Sequence, residues 1–75
     1  MPKLPSLKAK KVVKILQIAG FEKWRQKGSH LSMHREKDNR SLTVPMNFKK
    51  DVPKGTLRVI ITQSGMSINE FLKLR

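Results

Sequence analysis

The chain has 75 residues, with 17 Lys and Arg against 5 Asp and Glu, for a net charge of +12. That length holds one small domain, and the absence of cysteine excludes a disulfide scaffold and a thiolate zinc site. Five carboxylates and two histidines leave little for a dinuclear metal centre or a glycosidase carboxylate pair, whereas the charge points to a polyanionic partner.

Met1 to Pro5 forms an extended tail, because Pro2 and Pro5 disfavour helix. The tail lacks the apolar core of a secretory signal. No apolar run reaches the roughly 20 residues of a membrane-spanning helix, so the expected location is cytoplasmic.

A helix is predicted over 6–19, with the Ser6 hydroxyl as N-cap. Ala9, Val12, Ile15, Leu16 and Ala19 share one face of it, with Val13 at the edge. Lys10, Lys11, Lys14 and Gln17 lie opposite. Leu7 and Ile18 fall among the lysines and are expected on the surface. Gly20 suits the left-handed residue after a helix, with Phe21 folding back on Leu16.

Residues 21–27 read as a strand with imperfect alternation. The lone tryptophan, Trp24, is expected in the core; an exposed ring would instead stack on an unpaired base. Lys27-Gly28-Ser29 is a turn. Residues 30–36 alternate, with His30, Ser32, His34 and Glu36 on one face and Leu31, Met33 and Arg35 on the other. Lys37-Asp38-Asn39 turns the chain again, and 40–44 is a third strand with Leu42 and Val44 in phase. Short turns between consecutive strands make an antiparallel meander.

A loop over 45–50 ends in Lys49-Lys50. Asp51 to Thr56 begins a helix, with Pro53 in its first turn. Leu57, Ile60, Ile61 and Ser64 share its buried face, and Gly65 closes it. Ser67-Ile68-Asn69-Glu70 is a capping box for a short last helix. The expected fold is α+β: a three-stranded antiparallel sheet with helices on one face, in the order α-β-β-β-α plus a short C-terminal helix. One domain is expected over 1–75, made of the tail 1–5, a core 6–66 and the helix 67–75.

The charge is uneven. Residues 1–50 carry 13 basic and 3 acidic side chains, and residues 51–75 carry 4 and 2. Within the basic part, His30 follows a tight turn on a sheet face. An imidazole titrates near neutrality and can take and give protons there. Cleavage of RNA through its own 2′-hydroxyl needs only that, plus cations for the transition-state charge. The two histidines with Glu36 are too few for an ordinary metal site, and no nucleophile elbow surrounds Ser29.

The succession Gly20-Phe21, Arg25-Gln26-Lys27-Gly28-Ser29-His30, Thr43-Val44-Pro45, Lys54-Gly55-Thr56-Leu57-Arg58 and Gly65 closely resembles the HicA family. These are toxins of bacterial and archaeal toxin–antitoxin pairs, and the resemblance covers roughly 6–66. It implies a fold like the double-stranded-RNA-binding domain. It also implies a ribosome-independent mRNA endoribonuclease and a HicB antitoxin that covers the active site. The family's catalytic histidine corresponds to His30, presented by Gly28 and Ser29. Many members carry a second histidine directly after the first, where this chain has Leu31. His34 is at most auxiliary.

Lys27, Arg25, Lys10, Lys14, Lys49 and Lys50 complete the expected substrate-binding set. No metal or cofactor is called for. The expected partners are mRNA and a HicB-like antitoxin that buries His30 and some of Lys10, Lys11, Lys14, Lys27 and Lys49. A non-catalytic RNA-binding module of the same fold is the alternative, since fold alone does not fix function. Membrane-surface binding by the first helix fits poorly, because its apolar face is needed for the core.

Overall fold

The computed structural model describes residues 4–46 and 51–75. Its elements run α1 (Ala9–Ile18), β1 (Glu22–Lys27), β2 (His30–Arg35), a 3-10 turn at Glu36–Asp38, β3 (Arg40–Pro45), α2 (Lys54–Gln63) and α3 (Ile68–Lys73). The strands form one antiparallel sheet in the order β1-β2-β3. This is the helix-strand-strand-strand-helix-helix order that the hydrophobic pattern predicts. Among the described residues no helix is long and apolar enough to cross a membrane.

α1 buries Ala9, Val12, Val13, Ile15 and Leu16 and exposes its lysines. It begins three residues later than the pattern suggests, with Lys8 rather than Ser6 at the N-cap position. The cause is tertiary. Leu4 and Leu7 are buried in the core, and the Val52 N–H donates to the Leu7 carbonyl at 2.8 Å. That contact holds residue 7 against the chain leading into α2. Leu7 is therefore a core residue, whereas Ile18 is exposed as expected.

The end of α1 follows local rules. Gly20 takes φ 103, its N–H donates to the Gln17 carbonyl, and the Phe21 N–H reaches back to the Leu16 carbonyl at 2.9 Å. Those two bonds are the Schellman pair, and they deliver Phe21 into the core.

The helices cover the sheet face that carries Leu31, Met33, Leu42 and Val44, with α1 and α2 both against β3. α2 buries Leu57, Ile60 and Ile61, and the buried Ser64 follows at its C-cap. Pro53 stands at its N-cap rather than inside its first turn. α3 opens on the expected capping box, the Ser67 hydroxyl accepting from the Glu70 N–H and the Glu70 carboxylate accepting from the Ser67 N–H. Those bonds hold the Glu70 carboxyl below its usual range. The helix places Phe71 in the core against the rest of the apolar cluster.

β1 departs from expectation. All six of its residues are exposed, so this edge strand overhangs the helix layer. Its register against β2 shifts between Lys23 and Arg25, which leaves Trp24 as the extra residue of a β-bulge. Trp24 is 70% exposed, not buried, and Phe21 supplies the aromatic core anchor. Phe21→Ala should therefore cost about 3–5 kcal/mol. Trp24→Ala should stay within about 0.5 kcal/mol, as surface changes do. Urea unfolding measures both, and a destabilisation by Trp24→Ala matching that of Phe21→Ala would refute the placement.

Arg35 faces the core side of β2 and joins the layers. Its guanidinium donates to the Ala19 carbonyl at 3.1 Å, to the Ser64 carbonyl at 3.1 Å and to both Asp38 carboxylate oxygens. It also lies 4.6 Å from the Phe21 ring centroid. Both carbonyls sit at helix C-caps, where a cation meets the negative end of the helix dipole. Asp38 holds Arg40 as well, at 3.0 Å. The Arg35 hydrogen bonds depress the Asp38 carboxyl from its ordinary 3.8 to about 2.

A depressed acid stabilises the fold fully above its unfolded pKa. That contribution fades as the pH falls towards about 2. Arg35→Leu should cost roughly 1–3 kcal/mol at neutral pH, since it leaves the part-buried Ala19 and Ser64 carbonyls without their donor. It should also flatten the acid dependence of stability between pH 4 and pH 2. An unchanged acid limb in urea titrations of the variant would refute the clamp.

Candidate active site and nucleic-acid interface

The outer face of the sheet, away from the helices, is built by the alternation of β2. His30, Ser32 and His34 point outward while Leu31 and Met33 point into the core. Neighbouring strands add to that face in register. Lys27 pairs with His30 and Arg25 with Ser32 on one side; Pro45, Thr43 and Ser41 pair with His30, Ser32 and His34 on the other.

The hairpin that presents His30 has two loop residues, Gly28 and Ser29, between the paired Lys27 and His30. Gly28 adopts φ 60, which a side chain would resist, as the first position of a II′ turn demands. A Cβ there would meet nothing within 4 Å, so the demand is conformational and not steric. Two bonds brace the turn. The Gln26 amide donates to the Gly28 carbonyl at 3.3 Å, and the Met46 N–H donates to the Ser29 carbonyl.

His30 opens into a shallow groove of about 570 Å³ lined by Arg25, Lys27, Gly28, Ser32 and Thr43. The residue is exposed, and among the described residues its imidazole has no hydrogen-bond partner. Among the described residues no carboxylate lines the groove. Asp38 is engaged by two arginines, Glu70 by the capping box, and Asp51 lies 3.9 Å from Lys8. The groove is thus a cationic surface with hydroxyls and one free imidazole. It can attract phosphates and can move a proton beside them.

Of the expected site residues, the fold brings together Arg25, Lys27, Gly28, Ser29 and His30. Lys10 and Lys14 lie on the solvent side of α1, in the helix layer, and take no part in the groove. Lys49 and Lys50 lie outside the described residues. Glu36 belongs to the 3-10 turn and not to the strand, so it does not continue the row of His30, Ser32 and His34.

His34 belongs to a separate cluster. Its Nδ1 is 2.9 Å from the Ser41 hydroxyl, and its ring centroid is 5.9 Å from that of Trp24 at a 50° tilt. Four strand residues separate it from His30, about 13 Å at ~3.3 Å per residue. The sequence reading missed Trp24 as a surface group. The signal was there: Glu22 and Gln26, two positions either side of Trp24, are polar, so a regular strand has no apolar face for it.

A family model described as the HicA toxin of bacterial toxin–antitoxin matches residues 9–66 of the 75. A search of the curated proteins finds no match. The matched span starts with α1, ends just past α2 and contains the whole outer sheet face. The chain belongs to the HicA family, and so it is the toxin of a toxin–antitoxin system with an antitoxin as its partner.

Proposed function

We propose that this toxin is a ribosome-independent mRNA endoribonuclease in which His30 moves the protons and the RNA supplies the nucleophile. One observation carries the reading: the free imidazole of His30 stands at the head of the central strand, beside Arg25 and Lys27, in a groove without carboxylates. Neutral His30 removes the proton of a 2′-hydroxyl. The 2′-oxygen attacks the adjacent phosphorus and the bond to the 5′-oxygen breaks. That oxygen leaves with a proton returned by the imidazolium or by water. Arg25 and Lys27 offset the charge that grows on the phosphoryl oxygens. His34 is too far along the strand to share the same phosphate. No metal or cofactor enters these steps.

The antitoxin in this reading is HicB-like and closes the His30 groove. The groove is open and shallow, so it is blocked by coverage and not by filling. The toxin's charge favours fast capture by an acidic surface.

His30→Ala should lower cleavage of RNA by about 10²–10⁴-fold, the usual span of general acid–base catalysis. Stability and RNA affinity should stay near those of the parent. Cleavage should persist in EDTA and leave a 2′,3′-cyclic phosphate or its hydrolysis product. A single 2′-deoxy substitution at the cut nucleotide should stop it. Activity in a folded His30→Ala chain, or cutting of the deoxy strand, would overturn the mechanism. RNA binding without any cleavage by the parent would favour a non-catalytic RNA-binding module.

Salt dependence locates the strand. Each phosphate contact to a single strand contributes about 0.7 to the slope of log affinity against log salt. Arg25→Gln with Lys27→Gln should flatten the slope by about 1.4, and Lys10→Gln with Lys14→Gln should leave it unchanged. The reverse pattern would place RNA on α1.

A further inference from the structure

The geometry points to a base-stacking subsite at Trp24 and His34, which holds one unpaired base of the RNA strand at a fixed distance from His30. The ligand class rests on the ribonuclease reading; the subsite itself rests on the exposed Trp24–His34 pair. A regular β1 would send Trp24 to the opposite face from Arg25. Counted from Glu22, which pairs with His34, Trp24 falls on the outer face; the shift between Lys23 and Arg25 brings Arg25 onto that face as well, so the indole beside His34 and Arg25 share it. Core packing does not account for that placement, because the ring is 70% exposed and the strand carrying it is exposed throughout.

The second group is fixed. His34 is held by the Ser41 hydroxyl at 2.9 Å, and Trp24 leans on it at 50° with centroids 5.9 Å apart. A tilted pair of this kind leaves a broad face of the indole open. Beside the pair is a depression of about 290 Å³ lined by Lys23 and Lys37, by the carboxylates Glu22 and Glu36, and by Arg35 and the end of α1. Lysines around an exposed aromatic ring suit a nucleotide, with the base on the ring and the phosphates on the cations.

His34 at the depression and His30 at the groove stand on the same outward row of β2. The two lie about 13 Å apart by strand rise, within about four nucleotides at the ~3.4 Å spacing of a stacked strand. The base on Trp24 would thus fix which phosphate reaches His30. A stacking platform is tolerant of base identity, so the subsite sets register more than sequence.

Trp24 is the chain's single tryptophan, and its fluorescence reports this site alone. The test titrates the whole chain with a short 2′-O-methyl RNA, which cannot be cut, and reads quenching and anisotropy together. Quenching should saturate with binding. One abasic position should remove the quench while most binding remains. Trp24→Ala should bind about 5- to 150-fold more weakly, and Trp24→Phe should recover most of that. On cleavable RNA, Trp24→Ala should scatter the cut sites.

Full binding with no quench would overturn the subsite and leave the ribonuclease reading standing. Quenching together with cleavage by His30→Ala would support the subsite and remove the catalytic assignment. No RNA binding at all would overturn both. Unchanged RNA affinity in Trp24→Ala with lost affinity for the antitoxin would also overturn it, and would make the ring a protein anchor.

Discussion

The Arg35 guanidinium is the point on which the two layers depend. One side chain from the central strand caps the C-terminal carbonyls of both α1 and α2 and rests against Phe21. A helix layer of two ten-residue helices has little area with which to fix its angle on the sheet. Two charge-assisted bonds to fixed carbonyls supply that constraint. Asp38 completes it by orienting Arg35 and holding Arg40. Gly65 belongs to the same arrangement: a Cβ there would sit 2.7 Å from the Arg40 guanidinium, and the residue takes φ 79.

This clamp lies at the C-terminal end of β2, and His30 lies at the N-terminal end. Structural and chemical demands on the central strand are thereby separated. The clamp end absorbs acidic charge, through Asp38. Among the described residues, the charged groups around His30 are the cations Arg25 and Lys27. A polyanion approaching the outer face finds its strongest attraction there, and the one imidazole of that groove is in the same place. The separation also explains how an exposed, unpaired histidine coexists with a small and tightly constrained core.

What was legible in the sequence was local. The phases of α1 and α2, the Gly20 terminus, the Gly28 turn and the Ser67–Glu70 box each depend on residues within one or two turns of chain. Each is realised in the fold. What was not legible depends on contacts between distant segments. The late start of α1 comes from the Val52–Leu7 bond, which no local pattern records. The exposure of Trp24 comes from an edge strand that overhangs the helix layer, whereas the size of the only tryptophan argues for burial. Lys10 and Lys14 were grouped with His30 by charge, and charge carries no information about which layer a side chain faces. The Gly-Ser-His block located the one candidate that alternation then placed on the open face.

The overhang of β1 bears on which partners can dock on the outer face. Its six exposed residues include three cations and the tryptophan, all on an unpaired sheet edge. An edge strand rich in Lys and Arg resists pairing with other chains, because their backbones would have to desolvate those charges. An acidic partner lifts that penalty, since its carboxylates replace the water that the lysines lose. The same edge is therefore closed to indiscriminate strand pairing and open to a partner of opposite charge. On the proposed reading, RNA and antitoxin compete for one cationic face. Of the two, only a polypeptide can also pair with the edge backbone of β1.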